Sequence, residues 1–520
     1  MSELQRPAGL TQAFLEGLVA RVPGTSGNTW KLTEVYNGDL LVELPQSSPD
    51  DIRQAFAQAR EAQKIWGSWS VKRRTKVLDR FHRLVIENQM LITDLIQAES
   101  GKNRRMAFEE SCDVPMGTSH YIKRAPKVLK DRKHAGPIPV LSHSTEVRRP
   151  KGVVAIIAPW NFPFATGISD TIPALLAGNG VVVKPDNKTA LSPLFGIQLL
   201  EKAGLPKGLV QVVCGEGPDV GPTMIPEADY VMFTGSTATG RIIGEMAGKN
   251  LIGACLELGG KNPMLVLADA NVDEAVHAAL FGAFGNSGQI CMHIERLYVH
   301  DSLYEEFKTK FVAETAKLNV GAGYNFDYDM GSLVSPDHKD RVASHVDDAV
   351  AKGATVLTGG KARPDLGPAF FEPTILEGVT TDMTAGTVET FGPVVALHRF
   401  SNDDEGIALA NSTEYGLNAS VWSKDLAHAQ SVARRIDSGN VNINDILATA
   451  YASKGSPSGG LKQSGVGARH GDQGLLKYTD AQNVAVLKKQ VMEPQGKQTY
   501  ADYAKQTQMS LKLMRKLRIR

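Results

Sequence analysis

The chain has 520 residues, 42% hydrophobic and 22% charged, a globular composition long enough for two or three packed domains. Lysine plus arginine (57) nearly balance aspartate plus glutamate (56), and a net charge of +1 offers no field for a nucleic acid. The four cysteines, Cys112, Cys214, Cys255 and Cys291, are far apart with no CxxC pair, which argues against a zinc site or a disulfide framework.

The first residues, MSELQRPAGLTQAF, lack the basic and apolar regions of a secretory signal, and residues 1–30 read as irregular and polar. Apolar spacing of three and four over 51–66 and 72–100 predicts amphipathic helices. From Pro150 short β-rich runs alternate with helical stretches. The runs are GVVAIIAPW (152–160), GNGVVVKP (178–185), GLVQVVCG (208–215), ADYVMFTG (228–235) and ACLELGG (254–260). Helices are expected between them at 170–177, 192–202, 218–225 and 239–249. Continuous apolar strands alternating with helices predict a parallel sheet covered on both faces. The runs are too short to span a bilayer, so no integral membrane segment is expected and a reduced cytoplasmic setting fits.

A second alternating series begins near residue 258. Its strands are PMLVLAD (263–269), RLYVHD (296–301), ATVLTGG (354–360), PVVALHRF (393–400) and GNVNIN (439–444). Its helices fall at 273–286, 302–318 and 403–411. STEVRRP (144–150) and NVAVLKKQ (483–490) alternate apolar and charged residues and can pair as a protruding sheet. The basic end MSLKLMRKLRIR (509–520) reads as a solvated or loosely docked tail.

The chemically suggestive residues sit at strand ends, where α/β sheets present ligands. Asn161, in PWNFP (159–163), is either a turn asparagine or an amide donor for an oxyanion. Lys184, followed by Pro185, Asp186 and Asn187, is either solvated or a partner for ribose hydroxyls. GSTATG (235–240) opens a helix and can present free N–H groups to a pyrophosphate. Its spacing is not GxGxxG, and a plain tight turn explains it as well. Glu257, within ACLELGGKNP, has either a buried ionic partner or a raised pKa and a task as general base. Cys291 lies in NSGQICMH, where Gly285 and Gly288 would admit a substrate. The other three cysteines read as inert fillers, and Cys291 by itself is either a fourth or a reactive thiol. Glu389 and Phe391, in ETFGPV, precede a Gly-Pro turn and can face a cleft.

Taken in order, PWNFP, VVVKP, FTGST, LELGGKNP, GQIC and ETFGPVV resemble the aldehyde dehydrogenase superfamily from about residue 35 to 490. YGLNASVWS (415–423) and SGVGARHGDQGLLKYT (464–479) agree with it. The resemblance implies an α/β fold with a Rossmann-like dinucleotide-binding domain (1–140 and 152–257) and a second α/β catalytic domain (258–455). It also implies oligomerisation strands (141–151 and 478–495) before a C-terminal tail (496–520), and hence a homodimer or homotetramer. Cys291 would be the nucleophile, Glu257 the base that activates water, and Asn161 with the Cys291 N–H the oxyanion hole. Trp160, Asn161, Lys184, Pro185, Asp186, Asn187, Gly235 and Ser236 would hold the dinucleotide. Glu389 would bind the nicotinamide ribose, Phe391 would pack beside it, and Leu258 would offer its backbone.

The resemblance reaches further, to bacterial NADP-linked succinate-semialdehyde dehydrogenases. Relatives that strongly prefer NAD⁺ commonly carry glutamate where this chain has Asn187, so both NADP⁺ and NAD⁺ are expected as cofactors. Asp186 is a counter-argument. Well-understood succinate-semialdehyde enzymes place an arginine eight residues after the PWNFP asparagine; Ser169 stands there, so an aromatic or medium-chain aldehyde competes as substrate. His293 lines the substrate tunnel or is merely structural. A cofactor-free cysteine esterase using Cys291 and Glu257 leaves GSTATG and Glu389 unexplained.

Overall fold

In a computed structural model of the protein, residues 5–136, 142–451, 453–488 and 493–518 are described, those at 450 and 451 by backbone alone. The first sheet has six strands in the order Gly465–Val466, Gly253–Glu257, Tyr230–Thr234, Val153–Ile157, Gly180–Lys184, Val210–Val212. All pairs are parallel except the first. Successive side chains leave opposite faces of a strand, and both faces here are buried. Val154, Ile156, Val181 and Val183 therefore enter one core, and Val153, Ala155 and Val182 the other. That is why the strands read as unbroken apolar runs.

The second sheet has seven strands in the order Thr355–Thr358, Thr374–Glu377, Val394–Phe400, Ile294–His300, Asn262–Val266, Asn418–Trp422, Asn440–Ile443. The chain passes from Glu257 in the first sheet to Asn262 in the second through only four residues, so an end of one interior strand in each sheet comes together at this crossing. A third, antiparallel sheet joins Arg132–Ala135, Ser142–Pro150 and Thr479–Leu487, with Thr479 opposite Pro150 and Leu487 opposite Ser142. The two charged, alternating segments do pair, and Arg132–Ala135 adds a third strand; residues 489 and 490 lie outside the described residues.

Several elements depart from the sequence reading. Residues 1–30 are not wholly irregular: Thr11 caps a helix, Gln12–Val19, that buries Leu15, Leu18 and Val19. The stretch 72–100 is two helices, Val71–Glu87 and Gln89–Ser100, broken where the Asn88 side chain donates to the Leu84 carbonyl and competes with the helical ladder. Arg104–Val128, a 25-residue helix, carries Pro115 and Pro126, which mask its periodicity. Pro336–Ala351 was likewise unread. The tail forms an exposed helix, Tyr500–Leu517, with a Thr499/Asp502 capping box and no buried residue. No helix among the described residues is long and apolar enough to cross a membrane.

Candidate active site

A cavity of about 530 Å³ opens where the C-terminal ends of the first sheet face the second. It gathers Trp160, Asn161, Gly235, Ser236, Glu257, Leu258, Cys291, Glu389 and Phe391. Lys184, Pro185, Asp186 and Asn187 are not among its walls. They end the neighbouring strand, where the Lys184 carbonyl accepts from the Ala158 N–H.

Asn161 follows the central strand and is 6% exposed. Its amide donates to the Gln289 carbonyl at 3.0 Å, which uses one of its two N–H donors. Its own carbonyl accepts from the Lys102 ammonium at 2.7 Å. Lys102 is fully buried and ion-paired with Glu110, whose other oxygen accepts the Phe164 and Ala165 N–H groups. One buried charge pair thus fixes the turn that carries Asn161.

Cys291 follows the helix Val272–Phe284 and three left-handed residues, Asn286, Ser287 and Gly288. A Cβ on Gly288 would lie 2.0 Å from the Gly392 carbonyl, so this glycine serves backbone packing rather than substrate approach. Gly285 likewise meets the Phe281 ring. The amide of Asn262 donates to the Cys291 and His293 carbonyls at 2.8 and 2.7 Å, clamping the loop that carries Cys291. Burial pushes the Cys291 thiol up to about 12, with Arg469 pulling the other way. Cys214 and Cys255 are buried fillers. Cys112 is not; it is half-buried and lines a second hollow of about 900 Å³ that shares Leu447 with the first.

Glu257 ends its strand at 6% exposure. Among the described residues no cation lies within ion-pair distance of it. Arg469 and Lys477 approach, but both engage Asp170 instead, Arg469 through two nitrogens at 3.0 and 2.8 Å from one oxygen. Burial therefore dominates and raises the Glu257 carboxyl to about 7. A carboxyl tuned to neutrality suits proton transfer.

At the other end of the cavity Glu389 accepts the Gly260 N–H at 2.9 Å, and burial raises its carboxyl to about 8. A Cβ on Gly259 would stand 2.4 Å from that carboxylate, so a larger residue there would displace the Glu389 side chain. Phe391, at φ +54°, meets Trp160 edge-on at 5.3 Å. The Thr390 and Phe391 N–H groups donate to Glu295, which is ion-paired with Lys261 and faces His293. His293 is buried with its Nδ1 against the Ile290 carbonyl and is not among the cavity walls.

A dinucleotide fits the remaining wall. Gly235 turns from strand to helix, and Ser236 caps Thr237–Lys249, whose first-turn N–H groups and positive dipole end suit a pyrophosphate. The Leu258 N–H is spent on Ser464, leaving its carbonyl for a ligand. Asn187 is more committed than its neutral side chain suggested: it donates to Gln46 and, at 3.3 Å, to the exposed carboxylate of Glu216.

Sequence reading missed the polar wall opposite the nucleotide end. Asp113, Asp170, Lys454, Arg469 and His470 all line the cavity. Ser169 was noted as a lost arginine, and its hydroxyl donates to Asp113. The only signal for Arg469 and His470 was their place in SGVGARHGDQG.

The aldehyde dehydrogenase family model matches residues 22–484. The chain is 45% identical over 488 residues, 94% of each protein, to a Mycolicibacterium smegmatis protein with the provisional name NADP(+) succinate-semialdehyde dehydrogenase. It is 35% identical to the 3-sulfolactaldehyde dehydrogenase of Pseudomonas putida, over 94% of this chain and 99% of that one. Among solved structures, betaine aldehyde dehydrogenase from Staphylococcus aureus in complex with NAD⁺ superposes with a TM-score of 0.86. The two are 31% identical, over 92% of this chain and 98% of that chain. The chain belongs to the aldehyde dehydrogenase family and is an NAD(P)-dependent aldehyde oxidoreductase.

Proposed function

We propose that the protein oxidises a short aldehyde bearing a carboxylate, succinate semialdehyde first among them, to the free acid. The observation that carries this reading is that Cys291, Glu257 and Asn161 line one cavity. The Cys291 thiolate adds to the carbonyl carbon. The free Asn161 N–H and the Cys291 backbone N–H receive the resulting oxyanion. Bound NAD(P)⁺ supplies the hydride acceptor and a positive charge that favours the thiolate. The C–S bond then belongs to a thioester. Glu257 takes a proton from water, the water oxygen bonds to the acyl carbon, and the C–S bond breaks to release the acid and restore the thiolate. Because Glu257 is present and carries no ion pair among the described residues, hydrolysis rather than acyl transfer is the favoured exit.

Trp160, Gly235, Ser236, Leu258, Glu389 and Phe391 would hold the nicotinamide end and the pyrophosphate, and Lys184, Pro185, Asp186 and Asn187 the adenosine end. NADP⁺ is accepted beside NAD⁺, since Asn187 itself carries no charge and Lys184 is at hand for a 2′-phosphate. Glu216 opposes this. Reduced-cofactor absorbance, followed with an aldehyde panel and each cofactor, should rise with the protein and stay at background with Cys291→Ala. An NAD⁺ preference beyond about 100-fold in kcat/KM, or about 2.7 kcal/mol, would overturn the claim for NADP⁺.

An aromatic or medium-chain aldehyde is the second reading, favoured by the apolar residues Phe281, Trp422, Ile446 and Leu447 in the adjoining hollow. The three-stranded sheet leaves Thr479–Leu487 exposed beyond its first residue, with Val484, Val486 and Leu487 on the surface. An open apolar edge of this kind suits pairing with a second copy. A homodimer or homotetramer is expected by light scattering, and a monomeric mass would exclude it. The four free cysteines suit a reducing cytoplasm.

A further inference from the structure

The lost arginine at Ser169 leaves open how an anionic tail would be held. The cavity wall answers with a linked set of side chains. The Ser169 hydroxyl donates to Asp113 at 2.6 Å, the Lys454 ammonium pairs with the other Asp113 oxygen, and it also donates to His470 Nε2 at 3.2 Å. An ammonium has three donors, so one remains uncommitted among the described residues. The Lys454 side chain is 11% exposed and faces the cavity that also holds Cys291. At this end three cations, Lys454, Arg469 and Lys477, meet two carboxylates, Asp113 and Asp170. Glu257 adds a full negative charge only above neutral pH, because burial raises its carboxyl. With Glu257 ionised the charges at this end balance, so the room for a further anion lies in the uncommitted Lys454 donor that faces the cavity.

We propose that Lys454 binds the distal carboxylate of the aldehyde substrate, held toward the cavity by Asp113 and His470. This rests on the aldehyde-oxidation reading above. It names a specificity residue 341 positions away from Asp113, on the chain segment after the last α/β strand. The ligand class is an aldehyde with an anionic group a few carbons from the carbonyl. Asp113 orients the ammonium and at the same time tempers its charge, so the two residues should act on the anion with opposite sign.

The test compares kcat/KM for succinate semialdehyde with that for butanal, a neutral aldehyde of the same length, within each variant. The ratio does not depend on how much enzyme folds. Lys454→Met should lower the ratio by about 10- to 150-fold, the range of a charge-assisted hydrogen bond. Asp113→Asn keeps the hydrogen-bonding shape, removes the opposing charge and should raise the ratio, through a lower KM for the semialdehyde. An unchanged ratio in Lys454→Met, a ratio that falls in both variants, or a wild type that oxidises butanal alone would overturn the proposal. A wild type that oxidises neither aldehyde with either cofactor would instead sink the aldehyde-oxidation reading itself.

Discussion

Glu257→Gln is expected to leave an enzyme that turns over once and stalls. The first half of the reaction needs Cys291 and the oxyanion donors, none of which the substitution touches. The second needs a base for water. Mixing with aldehyde and cofactor should give a burst of about one reduced cofactor per active site. The steady rate that follows should be lower on the order of 10² to 10⁴-fold, the usual share of a general base. The pH profile gives an independent readout. Only the ionised carboxylate accepts a proton, and burial, opposed by Arg469 and Lys477, puts its pKa at about 7. Hydrolysis in the wild type should therefore fail below neutrality, rise through about pH 7 and level above it. In the variant that inflection should vanish. Full multiple turnover by Glu257→Gln with the inflection intact would show that another group activates the water.

The second large effect concerns Glu110, whose carboxylate is spent on Lys102 and two backbone N–H groups. Glu110→Gln keeps an acceptor for the Phe164 and Ala165 N–H groups but leaves the Lys102 ammonium buried without its counter-charge. Breaking a buried pair from one side costs about 3–5 kcal/mol, much of it the stranded charge. The denaturant midpoint should fall accordingly. Activity per folded molecule should fall as well, because Lys102 also holds the Asn161 carbonyl. Losing an oxyanion-hole donor typically costs about 10²–10³ in kcat, which bounds the effect from above. An unchanged midpoint would mean that Lys102 finds a new partner. A lower midpoint with undiminished turnover would separate stability from positioning and remove the pair from the catalytic account.

These two cases mark what local sequence can and cannot reveal. Glu257 could be singled out because a carboxylate interrupts an apolar strand, yet its two possible environments, ion-paired or alone, were indistinguishable. The decision came from Asp170, which draws Arg469 and Lys477 to itself from 299 and 307 residues along the chain. Gly288 misled for a related reason: its missing side chain reads as room for a substrate, but the Gly392 carbonyl that fills the space is contributed by another loop. The helix Arg104–Val128, which brings Glu110 and Asp113 to the cavity, left little periodic trace because of its internal prolines.

The sequence by itself determined the alternation of buried strands and helices, the start of a second series just after Glu257, the alternation that lets the two charged strands pair, and Asn161, Glu257 and Cys291 as candidates at or near strand ends. Those features are local: periodicity reports which faces are buried, and strand ends report where ligands meet a sheet. Partners across the cavity were decided only in three dimensions. Lys102 finds Glu110 and Lys454 finds Asp113 because folding removes water from them, and a charge stripped of water must take whichever counter-charge the packed chain delivers.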